Sequence, residues 1–302
     1  MMDGQQARRA VVVGVDGSDN ATRALRWAVE EAGRRRLPLR VVHAFGWTEE
    51  HAADGRPGHS PAYRATLLER AHKLVAAAAA GAHGLDPALE IEQEVTAGSP
   101  IAVLAGAART AQLLVVGDRG LNRLEGLLLG SVAVALATHA ACPVVIVRGP
   151  EREPTRTATL PVVVGIDGSP TSEAAIAFAF EAAAERKVPL VAVHTWWDRG
   201  SDPVLALPMV GSELIEQEAA EVLAERLAGW GEKYPDVAVQ RVLVHDFPAP
   251  GLLARSTGAQ LLVVGTRGHG EFTGLVLGSV SNAAIHRAAC PVAVVRPTAQ
   301  RA

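Results

Sequence analysis

Two segments of the chain carry almost the same sequence, LLVVGDRGLNRLEGLLLGS at residues 113–131 and LLVVGTRGHGEFTGLVLGS at residues 261–279. Each begins with a short apolar run, which is typical of a buried parallel strand, and continues into a glycine-rich loop. A Gly-Ser pair then precedes a second apolar-periodic stretch, which indicates the start of a helix. A strand, a glycine-rich loop and a helix N-terminus in this order form a typical binding site for phosphate in α/β folds.

The repetition extends outward from these segments through both halves of the chain. VVVGVDGS at residues 11–18 returns as VVVGIDGS at 162–169, and CPVVIVR at 142–148 returns as CPVAVVR at 290–296. The spacing is far longer than a solenoid repeat of roughly 20–50 residues, so it indicates a duplicated domain. The residues between the halves are polar and contain proline. We therefore predict domains over residues 1–149 and 160–302, joined by a linker over 150–159.

Strand and helix patterns alternate within each half. In the first half the patterns predict strands over residues 10–16, 39–45, 90–95, 113–117 and 143–147. They predict helices over residues 20–36 and 61–83, and two more helices that begin near residues 99–100 and at residue 131. Alternation of this kind predicts a parallel five-stranded sheet with helices on both faces and right-handed crossovers. The fold prediction is two tandem doubly wound, Rossmann-like α/β domains. Ligands of such domains bind beyond the carboxyl ends of the strands, where we expect the first and fourth strands to be neighbours.

Composition excludes several classes of function. The formal net charge of −3 and the scattered basic residues give no electrostatic reason to expect a nucleic-acid partner. Metal-site spacings such as H-E-x-x-H and C-x-x-C are absent from the sequence, and so is the P-loop motif G-x-x-x-x-G-K-[ST]. The two cysteines, Cys142 and Cys290, occupy equivalent positions, which indicates small buried residues in a reducing compartment. With no apolar run of roughly 20 residues, we predict a cytoplasmic protein without a membrane partner.

The glycines of the loop have two possible purposes. A residue without a Cβ lets backbone N–H groups approach an oxyanion, and the following helix start adds unpaired donors and partial positive charge. Alternatively, the glycines serve tight turns and close packing of a helix against the sheet. Ser131 and Ser279 are expected either to cap their helices or to donate a hydroxyl to phosphate. The repetition of the loop does not separate these purposes.

The spacing of glycines resembles a known signature. Gly, two residues, Gly, nine residues and Gly-Ser, present at 117–131 and at 265–279, is similar to the nucleotide signature of the ATP-binding universal stress proteins. The resemblance covers both halves almost end to end, and tandem actinobacterial members are the most similar. It implies a doubly wound fold in which ATP binds with its phosphates on the glycine loop. It also implies a role in the stress response.

The resemblance implies one adenine-nucleotide site in each half. In the first half the expected binding residues are Gly14, Asp16, Ala44, Gly117, Asp118, Arg119, Gly120, Leu121, Asn122, Arg123, Gly130, Ser131 and Val132. In the second half they are Gly165, Asp167, Thr195, Gly265, Thr266, Arg267, Gly268, His269, Gly270, Gly278, Ser279 and Val280.

Some of these residues have a second interpretation that needs no ligand. The aspartates at the exit of the first strand, Asp16 and Asp167, are expected to accept hydrogen bonds from adenine or ribose; an Asx turn is the alternative. Arg119 and Arg267 pair with phosphate or ribose, or are solvated loop residues. The strand-end histidines of the two halves, at positions 43 and 194, are expected to be structural.

We expect a sensor or regulator that binds ATP but does not turn it over efficiently. We predict no catalytic residues and no metal ligands in the protein, and we expect the phosphates to hold any Mg²⁺. Slow ATP hydrolysis or adenylyl transfer, with His269 as a possible base, is the enzymatic alternative. A scaffold whose pockets stay empty is the third. The apolar closing strands would be costly to leave as exposed edges, so we predict an intramolecular pseudo-dimer through them or a homodimer.

Overall fold

The computed structural model describes residues 10–46, 60–120, 129–149, 158–196, 212–267 and 277–297. The chain divides into two compact units, Met1–Val147 and Arg148–Ala302, and each is an α/β domain by itself. Among the described residues, no helix is long and apolar enough to cross a membrane.

The first unit contains a five-stranded parallel sheet. Its elements are β1 (Ala10–Gly14), α1 (Asp19–Arg35), β2 (Leu39–Phe45), α2 (Pro61–Leu85), β3 (Ile91–Ala97), α3 (Pro100–Ala108), β4 (Ala111–Gly117), α4 (Ser131–His139) and β5 (Val144–Val147). The strand order is β3-β2-β1-β4-β5, and every pair is parallel. The chain therefore runs outward from β1 to β3, returns to the other side of β1, and makes the expected switch point between β1 and β4.

The second unit repeats this topology. Its elements are β6 (Val162–Gly165), α5 (Pro170–Arg186), β7 (Leu190–Trp196), α6 (Ser212–Leu227), α7 (Trp230–Lys233), β8 (Val239–His245), α8 (Pro248–Ser256), β9 (Leu261–Gly265), α9 (Ser279–Arg287) and β10 (Val292–Val295). The strands follow the order β8-β7-β6-β9-β10, again parallel. The prediction of two tandem doubly wound sheets is confirmed.

The switch point is rigid because its strands are buried on both faces. The apolar side chains of β1 are completely buried, and its neighbour β4 is buried almost throughout. Helix α1 covers this sheet with the apolar stripe that its sequence predicts, and Leu25, Ala28, Val29 and Ala32 are all buried. The helix begins after Ser18, whose Oγ accepts a hydrogen bond of 3.1 Å from the Ala21 N–H. This cap satisfies one of the helix's first donors and holds the start of α1 beside the end of β1.

The bounds of two elements differ from the sequence prediction. Strand β1 ends at Gly14 instead of residue 16, because the Asp16 carboxylate accepts a hydrogen bond of 2.9 Å from the Ser18 N–H and turns the chain. Strand β3 runs to Ala97 instead of residue 95, since it pairs with β2 as far as Phe45. The other bounds of the first unit agree to within two residues.

Candidate functional site

A cleft of about 350 Å³ lies at the carboxyl ends of β1, β2 and β4 in the first unit. It brings together ten of the residues that the sequence analysis placed in a site: Gly14, Asp16, Ala44, Gly117, Asp118, Arg119, Gly120, Gly130, Ser131 and Val132. The remaining three predicted residues of this half, Leu121, Asn122 and Arg123, lie outside the described residues. Their role in binding, like that of the ten, stays a prediction.

Several lining residues were not predicted from the sequence. His43 is one of them, and Val15, Val42, Pro100 and Leu104 supply apolar surface. The histidine carried a usable signal, because it precedes Ala44 and recurs in the second half. The proline and leucine carried none, since only the fold brings the start of α3 to the ends of β1 and β2.

His43 joins two strands of the cleft. Its Nδ1 lies 2.7 Å from the Val15 carbonyl oxygen, and His194 repeats the contact with Ile166 at 2.7 Å. A carbonyl oxygen only accepts hydrogen bonds, so Nδ1 carries a proton and is the donor in both contacts. Each histidine therefore ties its strand to the exit of the neighbouring first strand, in agreement with the structural role expected of it.

The carboxylate of Asp16 both makes a turn and borders the cleft. Besides the Asx-type hydrogen bond to Ser18, its Oδ2 faces the glycine loop: a Cβ atom at Gly120 would lie 2.5 Å from it. The glycine therefore lets the loop close onto the aspartate. Asp167 makes the equivalent bonds, accepting from the N–H and the hydroxyl of Ser169 at 2.9 Å and 2.6 Å. The turn is thus established, and it places the carboxylate beside the loop.

The glycines of the signature serve different purposes. A Cβ atom at Gly117 would lie 2.8 Å from the carbonyl oxygen of Asn20, in the first turn of α1, so close packing of helix and strand requires glycine there. At Gly130 the nearest atoms to such a Cβ are 3.5 Å away, which is an ordinary contact. Gly265 and Gly278 are intermediate, with closest distances of 3.2 Å. Of the two purposes open at the sequence level, packing accounts for Gly117.

Of the two roles that the sequence left open for Ser131 and Ser279, the structure excludes that of helix cap. The N-caps are Gly130 and Gly278, which make no side-chain cap bond, and the serines occupy the first helical position. The reason is tertiary: the Gly130 N–H donates to the Asp118 carbonyl at 2.8 Å, which holds the glycine extended at the point of entry. The first N–H groups of an α-helix have no partner within the helix, and Ser131, at the first position of α4, lines the cleft.

The carboxylate of Asp118 is the most buried charge of the cleft, with a side chain only 7% exposed. Two guanidinium groups approach it, the Arg23 Nη2 at 3.8 Å from Oδ1 and the Arg119 Nε at 3.9 Å from Oδ2. Neither distance is that of a hydrogen bond, and Oδ1 is a buried acceptor without a hydrogen-bond partner among the described residues.

The second unit places its predicted residues in the same framework. Gly165 ends β6, Thr195 lies near the end of β7, Gly265 ends β9 with Thr266 and Arg267 following it, and Gly278, Ser279 and Val280 open α9. Gly268, His269 and Gly270 lie outside the described residues.

Two interactions distinguish the loop of the second unit from that of the first. Thr171 Oγ1 donates to the Arg267 carbonyl at 2.6 Å, which holds the start of the loop against α5. Burial, followed by the positive charge of Arg267, lowers the pKa of Arg296. Two guanidinium groups therefore influence each other beside this loop.

Fold and cleft together define a class: a tandem doubly wound α/β protein with a glycine loop and a helix N-terminus at the switch point. The sequence model of the universal stress protein family matches residues 7–148 and 159–296. A universal stress protein of Mycobacterium tuberculosis is 41% identical over 299 residues, which cover 98% of this chain and 99% of the relative. The chain belongs to the universal stress protein family.

One solved structure shows the same fold. A universal stress protein of Archaeoglobus fulgidus superposes with a TM-score of 0.69 at 18% identity, covering 95% of this chain and 98% of that chain. Another solved structure, a universal stress protein in complex with cAMP, covers 47% of this chain and 98% of that chain at 30% identity, with a TM-score of 0.36.

Proposed function

We propose that each unit binds one adenine nucleotide, namely ATP, and that the chain acts as a nucleotide-dependent regulator in the stress response. One observation carries the proposal: strand exits, the glycine loop and a helix N-terminus converge on a single cleft at the switch point of the first unit. Its volume of about 350 Å³ is in the range of small-molecule sites. Membership of the family supports the same ligand for the equivalent framework of the second unit.

The polar end of the cleft suits phosphate. The N–H groups in the first turn of α4 point toward the cleft with the positive end of the helix dipole, an arrangement that attracts anions. The Ser131 hydroxyl makes no hydrogen bond to any described residue, so it is available as a donor. Arg119 borders the cleft, is half exposed and offers a guanidinium for a phosphate oxygen.

The opposite end of the cleft suits a purine. Val15, Val42, Ala44 and Leu104 form an apolar wall against which a flat base would pack. Because Nδ1 of His43 is a donor, the neutral form of the ring would present Nε2 as an acceptor, which matches the donating amino group of adenine. A nucleotide would thus lie with its base over β2 and its phosphates at α4.

We infer binding without rapid turnover. The titratable side chains at the exits of β1 and β2, Asp16 and His43, each use an atom to hold the backbone of the cleft. Slow hydrolysis or adenylyl transfer remains the enzymatic alternative, with His269 as its candidate base. ATP turnover by the wild type and by His269→Ala tests it: rapid hydrolysis that this substitution abolishes would overturn the regulator proposal in favour of an enzyme.

Removing the Ser131 hydroxyl tests the site itself. We expect Ser131→Ala to weaken ATP binding at one site about tenfold, since a hydrogen bond to a charged group contributes roughly 1.5–3 kcal/mol. The melting temperature should not change, because Gly130 and not Ser131 is the N-cap. Thr66→Ala is the matched control, as it removes an exposed hydroxyl from α2. Calorimetric titration of ATP into the full chain measures the effect.

Two results bear on the proposal as a whole. Mass spectrometry of small molecules released from the purified, denatured chain should detect an adenine nucleotide. If ATP bound equally to wild type and Ser131→Ala, the site would lie elsewhere; if it bound to neither, the function would be wrong. Assembly through the closing strands stays a prediction, which sedimentation of the full chain would test.

A further inference from the structure

We propose that the residue opening each glycine loop determines the charge state of the nucleotide that its site accepts. The first unit, with Asp118, takes a nucleoside triphosphate only as its divalent-cation complex. The second unit, with Thr266, also takes the metal-free triphosphate. This inference rests on the proposed function, because it concerns the ligand of the same sites.

The two residues occupy identical backbone positions. The N–H of Asp118 donates to the Val147 carbonyl at 3.1 Å, and its own carbonyl accepts from the Gly130 N–H at 2.8 Å. The corresponding bonds of Thr266, to the Val295 carbonyl and from Gly278, measure 3.0 Å and 2.8 Å. Both side chains are buried. The units therefore present a carboxylate and a hydroxyl from the same frame.

In the first unit one oxygen of the Asp118 carboxylate has no hydrogen-bond donor among the described residues. Asp118 lines the cleft, and its buried Oδ1 accepts no hydrogen bond from the part of the chain that the structure describes. A buried acceptor without a donor is costly, and a charged one more so. Arg23 and Arg119 attract the carboxylate from 3.8 Å and 3.9 Å but leave this oxygen without a donor. The cleft thus contains an anionic group whose coordination is incomplete.

A metal-free triphosphate would bring further negative charge toward this group. Mg²⁺ in proteins is held by one or two carboxylates together with substrate phosphates, and it keeps several waters. A divalent cation between the phosphates and Asp118, bound directly or through one of its waters, would therefore complete the coordination of the carboxylate and replace repulsion by attraction. The carboxylate of the first unit selects the metal complex for this reason.

The second unit has the opposite electrostatics at its loop. Thr266 supplies a neutral hydroxyl that can donate to a phosphate oxygen. Burial, followed by the positive charge of Arg267, lowers the pKa of Arg296, and Thr171 holds the Arg267 carbonyl. Arg23 also has no counterpart here, since Ala174 takes its position. With a hydroxyl in place of the carboxylate that opens the first loop, this loop lacks the repulsion that Asp118 offers to a metal-free triphosphate.

Exchanging the two residues tests the inference. We would titrate ATP into the full chain by calorimetry, once in excess Mg²⁺ and once in EDTA. The wild type should bind about two ATP per chain tightly with Mg²⁺, but only about one tightly in EDTA, where the affinity of the first site should fall at least tenfold. Asp118→Thr should bind about two in both buffers, and Thr266→Asp should bind tightly only in Mg²⁺.

Asp118→Asn provides a second variant of nearly unchanged shape, in case Asp118→Thr does not fold, and circular dichroism checks the folding of each. It should also relieve the Mg²⁺ requirement of the first site. If all variants bound ATP with the Mg²⁺ dependence of the wild type, the charge-state inference would be overturned while the nucleotide function stood. Absence of ATP binding in every variant and buffer would overturn both.

Discussion

The substitution Gly117→Ala separates the packing role of the loop glycines from any role in ligand binding. The added Cβ would lie 2.8 Å and 2.9 Å from the carbonyl oxygen and carbon of Asn20, and 3.0 Å from its Cβ. These atoms belong to the first turn of α1, which the Ser18 cap holds in place, so the clash cannot be relieved by moving a flexible side chain. Strand β4 and helix α1 must therefore separate locally.

The magnitude follows from two opposing terms. Overpacking a tight contact costs roughly 1–3 kcal/mol. Replacing glycine by alanine offsets about 0.4–1 kcal/mol of this cost, because alanine lowers the conformational entropy of the unfolded chain. We expect a net loss of about 1–2 kcal/mol in the free energy of unfolding, or a fall of about 2–8 °C in the melting temperature of a domain of this size.

Gly130→Ala is the matched control within the same signature. Its Cβ would meet no atom closer than 3.5 Å, and its φ of −76° and ψ of 145° suit alanine. The small cost of alanine at an N-cap is offset by the same unfolded-state gain, so the net change should be within about 0.5 kcal/mol. Urea unfolding followed by circular dichroism measures both variants without ligand. Equal stability of the two would refute the packing explanation of Gly117.

Two further predictions concern residues outside the cleft. Burial raises the pKa of the Cys142 thiol to about 12, so iodoacetamide at pH 8 should leave it unmodified in the native chain and alkylate it in urea; rapid native alkylation, seen by peptide mass spectrometry, would contradict this. Arg36 caps the end of α1 with a φ of 53°, and Arg36→Gly should raise the free energy of unfolding by about 0.5–1 kcal/mol. Lys187→Gly, at a φ of 54°, should behave alike, and a loss of stability in both would refute the argument.

The sequence alone was sufficient for the duplication, the alternation of elements and the position of the switch point. These depend on short-range patterns: buried strands read as apolar runs, the stripe of α1 follows the helical period, and Ser18 is a local cap. The burial of Cys142 also followed from sequence, because it recurs in the same apolar string as Cys290.

Only the tertiary structure decided what each residue of the cleft does. Ser131 is not a cap because the Gly130 N–H donates a hydrogen bond to the Asp118 carbonyl and makes Gly130 the N-cap. The helix therefore begins one residue earlier than it would if the serine were its cap. Gly117 is glycine because Asn20, distant in sequence, packs against it. The pairing of Asp118 with Arg23 joins β4 to α1. Local patterns specify each strand or helix through residues that are close in the sequence. The contacts of the cleft join separate strands and helices, and only the packed sheet establishes the distances between them.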